Sequence, residues 1–344
     1  MASAPQQPDG LASTMGDGFV AFARARASAS PSSTLILTWA DASHEADLLN
    51  WLGALQRLGD NVARNFGIVS LDLKTHDFMR ALGGESSSYV SPVLGSAMGS
   101  GRTKLMRLYR MRLIALHDLL AASISVVMSD LDAIWLHSPL HLFERAGDIV
   151  ASRGSGWNGL SASKHTGGRW EAGVCMGFVY FRATPAVQSF LRDEVLSRKL
   201  EQDQASVNFG LWQANLSWAS TSLIQWLAPR VDHGVVPASA SSGRASFKVS
   251  LLDHTRFPRD CASACTLSRN SSAVLHADDN AERLCESDPL GCTASAANCP
   301  ARSEWVVVHC NGKRAEQQRL DLWHPADHRN NSSGLSAWLR GRTW

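Results

Sequence analysis

Hydrophobic and polar residues follow two rhythms along the chain, one typical of strands and one typical of helices. Residues 35–40, LILTWA, form a short apolar run that predicts a strand, and residues 41–59 carry leucines at helical spacing, with Asp41 or Ser43 as the expected N-cap. The run GIVSLDL at residues 67–73 predicts a second strand. Strand, helix, strand is the order of a βαβ unit, so we expect a mostly parallel sheet.

The same alternation continues further along the chain. Residues 103–121 predict a long basic amphipathic helix, and SISVVM at residues 123–128 predicts the strand that follows it. By the same criteria, further strands are expected at 148–152, 174–182 and 305–309, and further helices at 185–200 and 314–323. Residues 1–31 are rich in Ala, Ser, Arg and Pro and have no sustained period, which predicts a flexible leader.

Length and composition narrow the class of protein. With 344 residues, 44% of them hydrophobic and 19% charged, the chain can bury a sizeable core. Its net charge of +2 is far from the basic excess that many phosphate contacts require, so a nucleic-acid partner is not expected. No apolar run reaches the roughly 20 residues of a membrane-spanning helix.

The cysteines suggest an oxidising compartment. Six of the seven fall in the last quarter of the chain, in a Ser/Ala-rich segment without the short C-x-x-C pairs that zinc sites use, so two or three disulfides of unassigned pairing are favoured over zinc: Cys261, Cys265, Cys285, Cys292, Cys299 and Cys310. N-glycosylation sequons agree with a secretory setting: Asn215, Asn270, Asn330 and Asn331. The start, MASAPQQPDG, lacks the apolar core of a signal peptide. Either an N-terminal anchor precedes this chain or the secretory interpretation is wrong.

The segment VVMSDLDAIWLHSPL, residues 126–140, carries the sharpest chemical signal. Its strand ends in Asp130 and Asp132, and two carboxylates at i and i+2 on an extended segment point to the same side. Ligands of α/β sheets bind beyond the carboxyl ends of the strands, so this pair is a candidate oxygen site for Mg²⁺ or Mn²⁺ bridging to a diphosphate. An Asp-x-Asp in a turn is alternatively a solvated or capping feature.

Four segments in order resemble nucleotide-diphospho-sugar transferases of the GT-A fold, in particular glycosyltransferase family 77, the plant and algal group with rhamnogalacturonan-II xylosyltransferases and extensin arabinosyltransferases. They are VVMSDLDAIWLHSP, AGVCMGFVYFRAT (172–184), DQASVN (203–208) and VVHCNGKRAEQQRLDLW (307–323). The resemblance implies a Rossmann-like α/β/α sandwich with a mostly parallel central sheet over residues 32–328. Within it, residues 261–300 would be a Cys-rich insertion, and residues 329–344 would form a C-terminal tail.

The resemblance also implies a role for particular residues. Asp130, Asp132 and His309 would hold Mn²⁺ or Mg²⁺, and Asp203 with Gln204 would act at the sugar face. The residues expected to contact the sugar nucleotide are Thr38, Asp72, Lys104, Arg110, Asp130, Leu131, Asn311, Gly312 and Lys313. A solvated helix face is the alternative for Lys104, Arg110 and Arg112, and a helix N-cap is the alternative for Asp203.

These assignments imply transfer of a sugar from a UDP-sugar to a glycan or a hydroxyproline-rich protein, with retention, in the Golgi lumen behind a type II anchor that this chain lacks. A soluble cytoplasmic enzyme is the alternative location. Cys175 stands where the family usually has Asn, and it is expected to pack as a small buried hydrophobe. The other candidates are a haloacid-dehalogenase-type phosphatase, which also uses Asp-x-Asp after a strand, and an inactive carbohydrate-binding protein with the same fold.

Overall fold

The computed structural model describes residues 15–28, 33–59, 62, 64–92, 101–154, 173–197, 202–214, 217–218, 232–236, 247–252, 257, 306–309 and 339. The α-helices are α1 (Asp17–Ala27), α2 (Glu45–Arg57), α3 (Leu73–Ala81), α4 (Gly101–Ala121), α5 (Leu140–Ala146), α6 (Pro185–Phe190) and α7 (Asp203–Gln213). The strands are β1 (Thr34–Ala40), β2 (Phe66–Ser70), β3 (Ser88–Val90), β4 (Ser125–Ser129), β5 (Ala133–Trp135), β6 (Ile149–Gly154), β7 (Gly173–Phe181), β8 (Ser217–Trp218), β9 (Asp232–Val236), β10 (Phe247–Leu251) and β11 (Val307–His309). Two 3-10 turns, Ala42–His44 and Glu85–Ser87, and a π-helix, Leu191–Leu196, complete the described elements.

Nine strands form one sheet in the order β3-β2-β1-β4-β7-β6-β10-β9-β8. The pairs of β1 with β2 and β4, of β2 with β3, and of β6 with β10 are parallel, whereas β7 and β9 are antiparallel to both of their neighbours. Within this sheet, all strands except β7 and β9 therefore run in the same direction. A separate pair, β11 with β5, lies beyond the end of β4.

Side chains alternate between two cores on opposite faces of this sheet. On β1, Leu35 and Leu37 belong to the core that contains α1, α4, α6 and α7, whereas Ile36 belongs to the core that contains α2, α3 and α5. Such alternation is the period-two pattern of a strand that is covered on both faces. The predicted α/β/α sandwich with a mostly parallel sheet is confirmed by these layers, and the Cys-rich stretch at 261–300 lies outside the described residues.

The structure contradicts the expectation of a flexible leader over residues 1–31 for the stretch 15–28. Residues 17–27 form the helix α1, whose Phe19 and Ala23 are fully buried in the first core. Arg26 is also buried, and its guanidinium donates to the carbonyl oxygens of Phe66 and Arg64 at 3.1 and 3.0 Å. The expectation is wrong for this stretch because aromatic and small residues at helical spacing on α1 cover strands β1 and β2.

Two helix boundaries differ from those expected. Asp41 accepts a hydrogen bond from the Ser43 amide, and it thereby caps the 3-10 turn, while α2 begins at Glu45 without a side-chain cap. The helix expected at 185–200 is α-helical only to Phe190, after which the chain forms the π-helix. The helix expected at 314–323 lies outside the described residues. Nowhere in the described part of the chain is a helix both long enough and apolar enough to cross a bilayer.

Candidate functional site

Asp130 and Asp132 lie in a tight turn directly after β4. The Asp130 amide donates to the Gly177 carbonyl at 2.7 Å, which ties the turn to β7, and the Ala133 amide donates to the Asp130 carbonyl at 3.0 Å. The two carboxylates are therefore carried by a turn, not by the extended segment that the spacing suggested. Both side chains are half-buried, whereas Leu131 between them is buried in the second core.

Arg112 joins Asp130 to Asp203. Its Nη2 lies 3.0 Å from Asp130 Oδ1, and its Nε lies 3.3 Å from Asp203 Oδ2. Nη2 also donates to the Met176 carbonyl of β7 at 3.0 Å. One guanidinium from α4 thus connects the turn after β4 with β7 and with the first turn of α7.

Burial and the neighbouring charges shift the pKa values of Arg112 and Asp203. Burial alone lowers the pKa of Arg112, but the carboxylates of Asp130 and Asp203 outweigh it and raise that pKa, so the guanidinium stays charged. Burial raises the pKa of Asp203, the nearby Asp130 raises it further, and Arg112 and the Gln204 amide act in the opposite direction. The Arg112 and Asp203 side chains are only 8% and 4% exposed, whereas Asp130 is 36% exposed. Asp130 is therefore the member of the cluster that a ligand can reach.

Helix α7 is fastened to β7 by amide side chains. Asn208 accepts from the Val174 amide at 2.7 Å and donates to the Val174 carbonyl at 2.9 Å, and Gln204 accepts from the Met176 amide at 3.3 Å. Asp203 occupies the first position of α7 and accepts from the Gln204 amide at 2.7 Å, while Gln202 is the N-cap. The alternative of Asp203 as an N-cap is therefore wrong, although its carboxylate does bind a first-turn amide.

The backbone brings His309 to the Asp-x-Asp turn. Strand β11 is antiparallel to β5, and its register pairs His309 with Ala133, the neighbour of Asp132. The His309 side chain lies outside the described part of the structure. Within the part that is described, no group of three or more His, Cys, Asp or Glu side chains could hold a metal ion.

Outside the Asp-x-Asp turn, four of the residues expected to contact the sugar nucleotide are described, and three of them bind other parts of the protein. Thr38 is buried on β1, and no described residue hydrogen-bonds its Oγ1. Asp72 accepts from the amides of Ala42 and Thr75 and caps α3. Lys104 Nζ pairs with Asp41 at 2.9 Å, and Arg110 donates to the Leu196 carbonyl at 2.8 Å. Asp72 thus has a local structural role at the end of β2.

Several predicted features cannot be placed. Asn311, Gly312 and Lys313 lie outside the described residues, as do the four sequon asparagines and the six clustered cysteines. Cys175 is described, and it is buried with 1% of its surface exposed, as expected of a small hydrophobe. It follows Val174 on β7 and precedes Met176, the two residues that bind the amide side chains of α7.

Two residues of the cluster were missed or misread from sequence. A solvated face was the alternative for Arg112, yet its side chain is buried, and Trp39 was not singled out at all. The available signal for Arg112 was its place within MRLIAL, where a charged residue among apolar ones requires a buried partner. Trp39 carried no comparable signal, because a tryptophan on a strand is ordinary core composition.

Comparison with known proteins gives one family and a few remote structures. A family model described as nucleotide-diphospho-sugar transferase matches residues 61–283. The galactosyltransferase LgtC, solved with donor and acceptor sugar analogs, is 13% identical with a TM-score of 0.43, and the match covers 89% of this chain and 95% of that chain. The glycosyltransferase GlyE of Streptococcus pneumoniae TIGR4 is 14% identical with a TM-score of 0.33, covering 51% of this chain and 42% of GlyE. No curated protein matches the sequence significantly.

Proposed function

The chain belongs to the nucleotide-diphospho-sugar transferase family and is a glycosyltransferase, and on that premise we propose that it uses a UDP-sugar donor and a divalent cation, Mn²⁺ or Mg²⁺. The acceptor in this proposal is a glycan or a hydroxyproline-rich protein, and the configuration at the anomeric carbon is retained. The transferase domain spans residues up to 328, with 261–300 as an insertion and 329–344 as a tail.

The cation site is supported chiefly by one observation, the register of β11. It pairs His309 with Ala133, next to Asp132, although the two residues are far apart in sequence. Asp130 and Asp132 contribute hard oxygen ligands and His309 an imidazole, a donor set that suits Mn²⁺. Asp130 Oδ1 pairs with Arg112, so the other carboxylate oxygen of Asp130 would be the one available to a cation. When bound, the cation offsets negative charge on the departing nucleoside diphosphate.

The protein's own residues orient the donor on either side of the bond that breaks. Transfer breaks the bond between the anomeric carbon and a diphosphate oxygen and forms a bond from that carbon to the acceptor hydroxyl oxygen, whose proton leaves with the diphosphate. Asp203 is buried beside Arg112 at the start of α7, so in this proposal its carboxylate, when ionised, acts from behind Arg112 as negative charge on the sugar side, where positive charge develops. Gln204, held against the Met176 amide, lines the same side. Lys104, Arg110 and Lys313 are the cations for the diphosphate side.

The phosphatase alternative requires Asp130 as a free nucleophile. In the structure its Oδ1 lies 3.0 Å from the guanidinium of Arg112, and the family match favours sugar transfer. A binding protein without turnover would need neither the Asp-x-Asp turn nor the nearby His309. Both alternatives are kept as outcomes of the experiment below.

The test is sugar release or transfer from a panel of UDP-sugars with Mn²⁺, next to a phosphatase assay. Asp132→Ala is expected to lower turnover by about 100-fold or more, since loss of an outer-shell partner alone costs 10- to 100-fold. Asp77→Ala is the matched control, because Asp77 is exposed on α3 and pairs only with Arg80 of the same helix among the contacts described. Turnover unchanged in Asp132→Ala would contradict the cation site. Phosphate release that requires Asp130, or no turnover at all, would contradict the transferase.

A location in the Golgi lumen is part of the same proposal. It is supported by the clustered cysteines and the sequons of the sequence, which are typical of proteins in oxidising compartments. Titration of thiols in the denatured, unreduced protein is expected to find fewer than seven. Seven reactive thiols would favour the cytoplasm instead.

A further inference from the structure

Trp39 lies against the guanidinium that links the two carboxylates. The Arg112 Cζ is 5.3 Å from the centroid of the Trp39 ring, within the range of a cation–π contact. Trp39 is the last residue but one of β1, on the face that also carries Leu35 and Leu37. It lies two residues beyond Leu37, which pairs with Met128 of β4, and Asp130 lies two residues beyond Met128, in the turn after β4.

The polar contacts of Arg112 demand a fixed orientation of its guanidinium. Its Nη2 contacts Asp130 and donates to the Met176 carbonyl, while Nε lies 3.3 Å from Asp203 Oδ2, an ion pair without a hydrogen bond between these two atoms. Guanidinium N–H bonds lie in the plane of the group, so a tilt of that plane weakens the two contacts of Nη2, with Asp130 and with the Met176 carbonyl, together. An aromatic ring lying against the group opposes that tilt. Trp39 is the aromatic side chain described in this position.

Packing alone does not explain a tryptophan at position 39. Its Nε1 is buried, and no described residue accepts a hydrogen bond from it. A buried donor without an acceptor is destabilising, and Phe at this position would have no such donor. What Trp offers in return is the largest aromatic face and the strongest cation–π partner. The main contribution of the indole is therefore its contact with Arg112, and its contribution to the packing of β1 is secondary.

We propose that Trp39 is a positioning residue of the transfer reaction, holding the Arg112 guanidinium in the plane in which its Nη2 contacts Asp130 and the Met176 carbonyl while its charge stays beside Asp203. This inference rests on the proposed function, because it assigns Asp130 to the cation and Asp203 to the sugar side. In this role Trp39 acts through Arg112, whose guanidinium it contacts, and not directly on the donor or the cation. Its substitution should therefore change turnover more than donor binding.

The experiment compares Trp39→Leu and Trp39→Phe in the UDP-sugar assay, with folding checked by thermal unfolding. Trp39→Leu removes the aromatic face and should lower kcat about tenfold, with the donor KM within twofold. Trp39→Phe retains a ring and lacks the N–H, so its kcat should stay within about threefold of the wild type. If Trp39→Leu does not fold, Trp39→Met takes its place. Trp212→Leu is the matched control: Trp212 is half-buried on α7 against Phe209, and its loss should leave kcat unchanged.

The decisive measurement repeats Trp39→Leu in an Arg112→Lys background. Lysine keeps the charge but has no planar group to orient, so Trp39→Leu should then change kcat less than twofold. A tenfold loss in that background would overturn the inference, as would an active enzyme in which Trp39→Leu has no effect or Trp39→Phe is as damaged as Trp39→Leu. An inactive wild type would overturn the proposed function, and the inference with it.

Discussion

Arg112→Met should expose how strongly the buried cluster depends on charge balance. Methionine fills a similar volume but leaves Asp203, with a side chain 4% exposed, without its cation. Removal of one partner from a buried ion pair costs about 3–5 kcal/mol, because the remaining charge stays desolvated. We expect a loss of that size in the free energy of unfolding. Replacement of both partners should be much milder, so Arg112→Met with Asp203→Asn should recover more than half of it.

The loss should depend on pH in a direction fixed by Asp203. Burial raises the pKa of this carboxyl in the folded protein. Its favourable contribution is therefore complete below the ordinary carboxyl pKa of about 3.9 and is lost as the pH rises through the raised folded value. Arg112 acts against this rise, so its removal moves the folded pKa higher still. The difference in stability between Arg112→Met and the wild type should be larger at pH 8 than at pH 5.

Denaturant unfolding of the two single variants and the double variant provides the assay. A matched control is Arg80→Met with Asp77→Asn, whose side chains are more than half exposed and 2.6 Å apart on one helix. Solvent screens such a pair, and its coupling energy should stay below about 1 kcal/mol. The coupling energy of Arg112 with Asp203 should reach about 2 kcal/mol or more. Additive losses at Arg112 and Asp203, or a loss independent of pH, would refute the charge-balance argument.

Two further predictions concern residues that support the site. Ser129→Ala removes the hydroxyl that accepts hydrogen bonds from the indoles of both Trp51 and Trp135, at 3.1 and 3.0 Å, and it should cost about 2–4 kcal/mol in denaturant unfolding; a loss below about 1 kcal/mol would contradict those bonds. Asp72→Ala should cost about 1–2 kcal/mol at pH 7, because Asp72 caps α3 and binds the Ala42 amide. Burial raises the pKa of Asp72, but these amides outweigh it and lower that pKa, so the contribution is present above the ordinary carboxyl value and shrinks as the pH falls through the lowered one. An Asp72→Ala deficit that grew on acidification would contradict this assignment.

The strands and most helices could be predicted because their signal is local. The apolar run at residues 35–40 became β1, the leucine spacing after it became α2, and residues 103–121 became most of α4. The sheet order could not be predicted in this way. Strand β7 inserts between β4 and β6 and runs antiparallel to both, a pairing between segments distant in sequence that no period records. The π-helix after Phe190 also depends on packing, here against α7.

The Asp-x-Asp turn was predicted from the sequence, but the arginine that pairs with its first carboxylate was not. Arg110 and Arg112 are two residues apart on α4 and have the same chemistry; the apolar run after Arg112 indicates which of them is buried, but the rotation of the helix against β7 decides which one reaches the carboxylates. In the structure Arg110 reaches the Leu196 carbonyl, and Arg112 reaches the two carboxylates. Helix α1 was missed for a related reason. Its sequence has a weak apolar period, and its place is settled by the surface of β1 and β2.

Several features that oppose stability are concentrated at one end of the sheet. Arg112 and Asp203 are buried charges, and Trp39 carries a buried N–H without a described acceptor. Buried ion pairs are often no more stable than apolar side chains of the same volume. One guanidinium against two carboxylates also leaves a net negative charge beside Asp132. In the proposed function, a divalent cation joined to a diphosphate is the partner of this negative charge.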